Sequence, residues 1–228
     1  MKLGLIYALP AEIENLLHIT GGEEIETVCG VPFYRLNENI VAAAGGMGKV
    51  NAAMATQLMI DRYAPDLLFN AGIAGAMADL EPYTVALATS FMQHDVDTSG
   101  IGDPVGMIST VYRTEFPAAF TEESRAILRA QGVAFAEGLV ASADWFTVDC
   151  PRAREVERLF HPALVDMESG AVAQVAFRAG IPCMALKCVS DCIFRGEHNG
   201  DQYHFNFDDA CRRIAEVTAP FILAWAER

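Results

Sequence analysis

Short apolar runs alternate with stretches of helical periodicity along most of the chain. Apolar runs bounded by turn residues predict strands at residues 2–8, 39–44, 66–71, 83–91, 133–142 and 182–190, with a hairpin over 27–36. Apolar positions spaced three and four apart predict six helices. The first begins at residue 10, and the second runs from the turn at 45–49 to about residue 63. Three more span 121–130, 152–160 and 167–179, and the last runs from about 206 to the C-terminus with a break near Pro220. This alternation predicts a mixed, mostly parallel α/β sheet with helices on both faces, in one domain over 1–228.

One αβ unit carries a carboxylate at each of its open ends. The helix predicted over 167–179 is built of small residues, which let its backbone lie close to a sheet, and Gly180 ends it. Glu168 lies at the start of this helix, and Asp191 follows the next strand, where open α/β sheets bind their ligands. A structural interpretation has even weight, since Glu168 can complement the helix dipole and Asp191 can cap a turn.

Further candidates also follow predicted strands. Glu12 lies in the first turn of the first helix, although a surface glutamate that pairs with the helix dipole explains it equally well. The glycine turn at 45–49 opens a helix, so its N–H groups can face a polar or anionic ligand, but Ala43 and Val50 break the Walker pattern. Phe146 follows another strand and can stack on a flat ligand or belong to the core. We expect these residues to converge on one rim of the sheet.

Composition excludes several classes of partner. The chain has 52% hydrophobic residues. Its formal net charge is −14 and its pI is near 4.7, so neither nucleic acid nor an anionic membrane is expected to bind. No apolar run approaches the ~20 residues of a membrane span. The first nine residues do not resemble a secretory signal, which leads us to expect a cytoplasmic protein.

Neither a metal nor a cofactor is expected. The six cysteines form no CxxC pair and have no histidines at ligand spacing, so buried reduced thiols are the preferred interpretation. His94 and the aspartates after it have no third ligand at metal spacing. We therefore expect them to form hydrogen bonds within a long loop at 94–107.

The order of these segments resembles the nucleoside phosphorylase/nucleosidase superfamily, and most closely the 5′-methylthioadenosine/S-adenosylhomocysteine nucleosidases. The matching segments are Glu12 after the first strand, GGMGKVNAA at 45–53, NAGIAGAM at 70–77, HDVD at 94–97, SADWF at 142–146, VDMESGAVA at 165–173 and VSD at 189–191. After Asp191, the segment at 192–210 is longer than the family's usual connection to its last helix.

The resemblance implies a three-layer α/β/α fold and hydrolysis of the N-glycosidic bond of a 5′-thio-substituted adenosine. It implies that Glu12 activates the attacking water, that Glu168 contacts the ribose, and that Asp191 protonates N7 of adenine. The other substrate-binding residues that it implies are Ala74, Gly75, Phe146, Thr147, Met167 and Lys187. The chemistry agrees, because an adenine leaving group needs a proton and an electron-poor sugar needs a nearby carboxylate.

Two departures from the family pattern leave alternatives open. Ile73 stands where a serine is usual, and Lys187 stands where an arginine is usual, so the bidentate geometry of a guanidinium is lost. The alternatives are a hydrolase of another 5′-substituted nucleoside such as futalosine, a nucleoside phosphorylase, and a non-catalytic nucleoside-binding relative. Water is the expected acceptor, because the first strand is followed by Glu12 and no cation.

A homodimer is expected from the resemblance and from the loop at 94–107. Four apolar residues of this loop would otherwise lie on the surface: Val96, Ile101, Val105 and Met107. The loop is then able to reach the pocket of the partner.

Overall fold

The computed structural model describes residues 1–195 and 199–228 as ten strands and six α-helices. The strands are β1 (Leu3–Tyr7), β2 (Glu23–Val28), β3 (Val31–Asn37), β4 (Ile40–Ala44), β5 (Leu67–Ala76), β6 (Val85–Gln93), β7 (Glu115–Pro117), β8 (Phe135–Ser142), β9 (Leu164–Asp166) and β10 (Cys183–Cys192). The helices are α1 (Pro10–Thr20), α2 (Lys49–Tyr63), α3 (Thr121–Ala130), α4 (Pro151–Phe160), α5 (Ser169–Ala179) and α6 (Asn199–Ala226), with a short 3₁₀ helix at Ser99–Ile101.

The predicted mixed sheet is confirmed, and its central strands are parallel. β1 lies between β4 and β5, and β5 also pairs with β10, all in parallel. β6, β8 and β9 form a second parallel group. Antiparallel pairings join β10 to β6 and β9 to β5, and the predicted hairpin is β2 with β3. The carboxyl ends of β1, β4, β5 and β10 therefore meet at one edge.

Helices cover both faces of the sheet, so the three-layer prediction is confirmed. Leu3 and Leu5 of β1 pack in one core with residues of α1, α3 and α6. Ile6, which points the other way, packs in a second core with residues of α2 and α5. This alternation is the period of two that a strand buried on both faces requires.

The small residues of α5 let it approach the sheet closely, as predicted. A Cβ added to Gly170 would lie 2.4 Å from the backbone oxygen of Met92 on β6, so a larger side chain does not fit. Gly180 ends the helix in the left-handed conformation with a φ of 70°, which glycine adopts at low cost.

Three predicted boundaries were wrong. β5 continues through the glycines at 72 and 75 to Ala76, and β10 includes Asp191, so these residues lie inside strands rather than after them. The last helix begins at Asn199, seven residues before the predicted start at 206, and it runs through Pro220 without a break. Pro220 is exposed, where water can satisfy the carbonyl that proline leaves without a partner.

In the described ranges, no helix combines the length and apolar character needed to cross a membrane.

Candidate active site

The predicted site residues surround one cavity at the carboxyl edge of the central strands. Its volume is about 570 Å³, including the open space at its mouth. The predicted residues that line it are Glu12, Ala74, Gly75, Phe146, Thr147, Met167, Glu168 and Asp191. Lys187 does not line the cavity, but Asp166, with which its ammonium forms an ion pair, does.

Glu12 is held by backbone donors from the turn after β1 and from β5. Its Oε2 accepts hydrogen bonds from the N–H groups of Ala8 at 3.2 Å and Leu9 at 2.7 Å. Its Oε1 accepts from the N–H of Ile73 on β5 at 3.1 Å. The side chain is buried, and burial raises its pKa, although these donors and the Lys187 ammonium oppose the change.

Gly72 explains how the Glu12 carboxylate can lie against β5. A Cβ added at position 72 would be 2.6 Å from Oε1 of Glu12. Any larger residue would therefore push the carboxylate away from Ile73. The glycine within β5 is a structural requirement of the site, and the predicted strand, which ended at 71, did not include it.

Glu168 occupies the N-cap position of α5 and uses a donor of the glycine turn. Its Oε1 accepts from the N–H of Gly48 at 2.8 Å, and its Oε2 accepts from the N–H of Met167 at 3.2 Å. The next N–H of the turn, that of Lys49, donates to Asp144 at 2.7 Å. These turn donors therefore bind carboxylates of the protein itself.

Asp166 and Lys187 form a buried ion pair behind the cavity wall. Lys187 Nζ lies 2.9 Å from Asp166 Oδ2, and both side chains are at most 3% exposed. The hydroxyls of Ser142 and Ser169 donate to the same carboxylate. Burial alone would raise the pKa of Asp166, but Lys187 and the hydroxyls hold it below its usual range.

Three carboxylates thus share one buried ammonium. We call Glu12, Asp166 and Glu168 the carboxylate cluster. Burial raises the pKa of Glu168 to about 8, and the nearby charge of Asp166 adds to this shift. Burial lowers the affinity of Lys187 for its proton, but the charges of Asp166, Glu168 and Glu12 outweigh it and raise the pKa of the ammonium. Glu168 is therefore mostly protonated near neutral pH, and the ionised members of the cluster can stabilise positive charge on a ligand.

Asp191 is placed by an irregularity in β10. The register between β10 and β5 shifts between Val189 and Asp191, which is a β-bulge of the kind that re-aims side chains near active sites. Asp191 Oδ1 accepts from the hydroxyl of Ser190 at 2.7 Å, and Oδ2 accepts from Nδ2 of Asn199 at 2.8 Å. Burial raises the pKa of Asp191, while these two donors oppose the shift.

An apolar wall faces Asp191. The ring of Phe146 is 44% exposed, and its centroid lies 5.3 Å from that of Tyr203, edge to face. Trp145 and Ile193 also line the cavity. A flat ring system can be held between such side chains.

The expectation for His94 was wrong. His94 is buried against the edge of Trp145, with centroids 5.8 Å apart, and neither ring nitrogen has a hydrogen-bond partner among the described residues. Burial lowers its pKa to about 4, so the ring is neutral near neutral pH. Asp95 accepts from outside the loop, from Lys49 Nζ at 2.5 Å and from the Asp144 N–H at 3.0 Å. Asp97, in contrast, accepts within the loop from the N–H of Ser99 at 2.9 Å.

Sequence reasoning missed four residues at the site, namely Asp166, Ser190, Asn199 and Tyr203. Asp166 and Ser190 stand inside recognised motifs, directly beside residues that were singled out, so each offered a signal. Asn199 and Tyr203 lie in the segment at 192–210, which carried no helix prediction before 206. Residues 196–198 of this segment lie outside the described residues.

The arrangement can perform acid–base chemistry at two separate points. At one end the carboxylate cluster can accept a proton from water and stabilise positive charge. At the other end Asp191, beside an aromatic wall, can donate a proton to a flat leaving group. In the described parts of the chain, no group of three or more His, Cys, Asp or Glu side chains is arranged to hold a metal ion.

Known proteins resemble the chain along nearly its whole length. The family model of the Phosphorylase superfamily matches residues 2–223. A 5′-methylthioadenosine/S-adenosylhomocysteine nucleosidase from Shewanella halifaxensis is 30% identical over 203 residues, which cover 84% of this chain and 86% of the relative. The solved structure of the nucleosidase of the same name from Helicobacter pylori, bound to butyl-thio-DADMe-Immucillin-A, has a TM-score of 0.90 and 27% identity and covers 98% of both chains. That of a Helicobacter pylori futalosine hydrolase has a TM-score of 0.90, 25% identity and the same coverage.

Proposed function

The chain belongs to the phosphorylase superfamily, and we propose that within it the protein is a nucleosidase, which hydrolyses the N-glycosidic bond of 5′-methylthioadenosine and S-adenosylhomocysteine and releases adenine. The activity of the relatives supports the reaction class. A role in methionine salvage follows from these substrates.

The observation that carries the proposal is the charge of the cavity wall. Glu12, Asp166, Glu168 and Asp191 line the cavity, and among the residues that the structure describes no lysine or arginine does. A phosphate dianion would be repelled at close range by the ionised members of this set, Glu12 and Asp166. Water, in contrast, can donate a hydrogen bond to a carboxylate. The wall therefore supports water, and not phosphate, as the acceptor of the sugar.

In the proposed reaction, Glu12 accepts a proton from water while the water oxygen bonds to the anomeric carbon of the ribose. The C–N bond breaks, its electron pair passes to adenine, and Asp191 donates a proton to N7 of the base. Glu168 accepts hydrogen bonds from the ribose hydroxyls, and the carboxylate cluster stabilises the positive charge that develops on the sugar. General acid and base groups of this kind typically each contribute about 10² to 10⁴-fold in rate.

The cavity lining supports the remaining contacts of the proposal. Phe146 stacks on the adenine, Thr147 lies beside it, and Ala74, Gly75 and Met167 form the surface next to the ribose. Lys187 acts through Asp166, with which its ammonium is paired, rather than by touching the substrate.

A hydrolase of another 5′-substituted nucleoside is the second candidate. Ile73 lies on the cavity wall and brings an apolar side chain there, and the similar futalosine hydrolase structure supports this alternative. The two candidates share the chemistry at the glycosidic bond and differ in the 5′ substituent.

The test is release of adenine from 5′-methylthioadenosine in phosphate-free buffer, with the sugar product identified by mass. We expect adenine and a free methylthioribose. Release that requires phosphate and yields a ribose 1-phosphate would identify a phosphorylase. No release from this substrate, together with cleavage of futalosine in a parallel reaction, would favour the second candidate. No cleavage of either would favour a binding protein.

We also propose a homodimer. Ile101 and Val105 of the loop are 81% and 37% exposed, whereas Val96 and Met107 are half-buried, so only part of the loop is free. The ion pair between Lys49 and Asp95 places the loop beside the start of α2. Three apolar residues are exposed there: Met47, Val50 and Met54, at 54%, 78% and 37%. Such a combined apolar surface is typical of an interface.

Light scattering at micromolar concentration tests the dimer, which has twice the 24.7 kDa of the chain. Val50→Glu should shift the distribution towards monomer, and Phe177→Glu, which places the same charge at an exposed residue of α5, is the control. A fully active species of 24.7 kDa contradicts the proposal.

A cytoplasmic location is part of the proposal. The six cysteines are all free thiols, and four of them are buried. Unpaired thiols are typical of proteins kept in a reducing compartment.

A further inference from the structure

The first two turns of α6 present three carboxamide side chains to three consecutive residues of β10. The positions of these side chains, three and four apart, place them on one face of the helix: Asn199, Gln202 and Asn206. Asn206 Nδ2 donates to the backbone oxygen of Ser190 at 2.7 Å, and the N–H of Cys192 donates to Gln202 Oε1 at 3.2 Å. Between these backbone contacts, Asn199 is the member that reaches the side chain of Asp191.

Asn199 joins Asp191 to the backbone next to Phe146, and these are the two parts of the cavity that would flank the adenine. Its Nδ2 donates to Asp191 Oδ2 at 2.8 Å and to the backbone oxygen of Thr147 at 2.9 Å. Thr147 follows Phe146, the proposed stacking ring. Because both partners are acceptors, the amide can take only one orientation; turning it would place Oδ1 against two oxygens. Asn199 is 4% exposed, so water cannot replace it easily.

We propose that Asn199 is a positioning residue for the general acid Asp191. By holding the carboxyl group and the Thr147 backbone with one amide nitrogen, it fixes the separation between the acid and the ring that stacks on the base. The base then enters with its N7 directed at Asp191. This inference rests on the proposed function and adds to it a residue of the segment at 192–210.

The same contact also lowers the proton affinity of the acid, against the larger effect of burial. A donor to the carboxylate favours its ionised form, so loss of Asn199 should raise the pKa of Asp191. Among the described residues, the titratable groups that sense the charge of Asp191 are Tyr203 on α6 and Cys192 on β10; burial raises the pKa of Tyr203 to about 12 and also raises that of Cys192. From β5, Gly75 faces Asp191 and carries no titratable group. Since the acid must be protonated to act, the fall of kcat at high pH reports its pKa.

The experiment compares Asn199→Leu with Asn206→Leu, which removes an amide from the same helix face whose hydrogen bonds among the described residues are to the Ser190 backbone and Tyr83. Adenine release from 5′-methylthioadenosine is followed against pH. For Asn199→Leu we expect kcat to fall about 10- to 100-fold, as misplacement of a catalytic group does, with little change in KM and with the high-pH fall moved to higher pH. Asn206→Leu should lower the Tm and leave the position of the high-pH fall unchanged.

The inference is overturned if kcat of Asn199→Leu falls at the same high pH as that of the wild type. It is also overturned if Asn206→Leu shifts this pH by the same amount. Should Asn199→Leu fail to fold, Asn199→Asp keeps the shape and replaces the donor with a carboxyl group. The two carboxyl groups should then share a proton, so the fall of kcat should again move to higher pH. An unchanged dependence of kcat on pH rejects the proposal. Release by the wild type is measured first, because its absence rejects the proposed function and this inference together, whereas an active wild type with unchanged variants rejects the inference alone.

Discussion

The two ends of the cavity hold buried carboxyl groups in different ways. At the ribose end, Glu12 and Glu168 accept hydrogen bonds from backbone N–H groups, and one ammonium, that of Lys187, lies among the carboxylate cluster. At the base end, Asp191 accepts from two neutral side chains among the described residues, those of Ser190 and Asn199, and aromatic side chains line the same cavity. Backbone donors and the ammonium oppose the burial that raises the pKa values of Glu12 and Glu168, whereas the described groups that oppose the burial of Asp191 are neutral.

This difference explains how one residue type can serve opposite roles in a single reaction. The ribose end is suited to accept a proton and to stabilise positive charge, and the base end is suited to give a proton away. The transferable rule is that the surroundings of paired carboxyl groups, rather than their identity, assign the acid and the base.

The largest effect is expected from Asp191→Asn. The amide keeps the shape of the side chain but cannot deliver a proton, so kcat should fall by about 10² to 10⁴-fold while substrate binding survives. Steady-state kinetics and titration with a non-hydrolysed substrate analogue measure the two properties. Wild-type kcat on a purine nucleoside would show that Asp191 is not the acid.

Glu12→Gln tests the ribose end of the cavity in the same way, by replacing a carboxyl group with an amide. A glutamine cannot take a proton from water, so kcat should again fall by about 10² to 10⁴-fold. The base end is unchanged in this variant, so the fall of kcat at high pH should keep its position. A combined variant with Asp191→Asn should lose less than the product of the single losses if both groups act in one transition state. Loss equal to the product contradicts that coupling.

Lys187→Met should affect stability more than it affects binding. It leaves the buried Asp166 without its cation, which typically costs about 3 to 5 kcal/mol in the free energy of unfolding. Lys187→Arg keeps the charge and should cost less, although the larger guanidinium must fit a fully buried site. Urea unfolding measures both variants. A Lys187→Met protein as stable as the wild type would show that the ion pair contributes nothing to the fold.

The smallest effect is a pH dependence of stability that belongs to Glu168. Its pKa is raised by burial from 4.5 to about 8, so between these values the folded protein binds a proton that the unfolded chain releases. The free energy of unfolding should therefore decrease as the pH rises through about 8, and the stabilisation is fully present only below the ordinary pKa. Glu168→Gln should flatten this part of the pH profile. Thermal unfolding from pH ~6 to pH ~9 checks it, and parallel profiles of the two proteins would contradict the shift.

Much of the site could be predicted because the carboxyl ends of parallel strands meet at one edge. Glu12, Glu168 and Asp191 each follow or end a recognisable strand, and the structure brings all three to one cavity. Asn199 and Tyr203 could not be predicted in the same way. Their stretch shows no clear apolar periodicity, and its polar side chains contact β10 and the aromatic turn rather than an apolar core.

By itself, the sequence determined the order of strands and helices, the glycine that ends α5, and the presence of carboxylates at strand ends. These features depend on residues that are near one another in the chain, through side-chain periodicity and backbone conformation.

The tertiary structure alone decided which groups those carboxylates meet. The N–H of Gly48 reaches Glu168 across 120 residues of chain, and that of Ile73 reaches Glu12 across 61. Contacts of this kind depend on sheet register and on the bulge after Val189, which redirect side chains by whole strand positions. The charge state of a buried carboxyl group depends on those contacts, so it is a property of the fold and not of any motif.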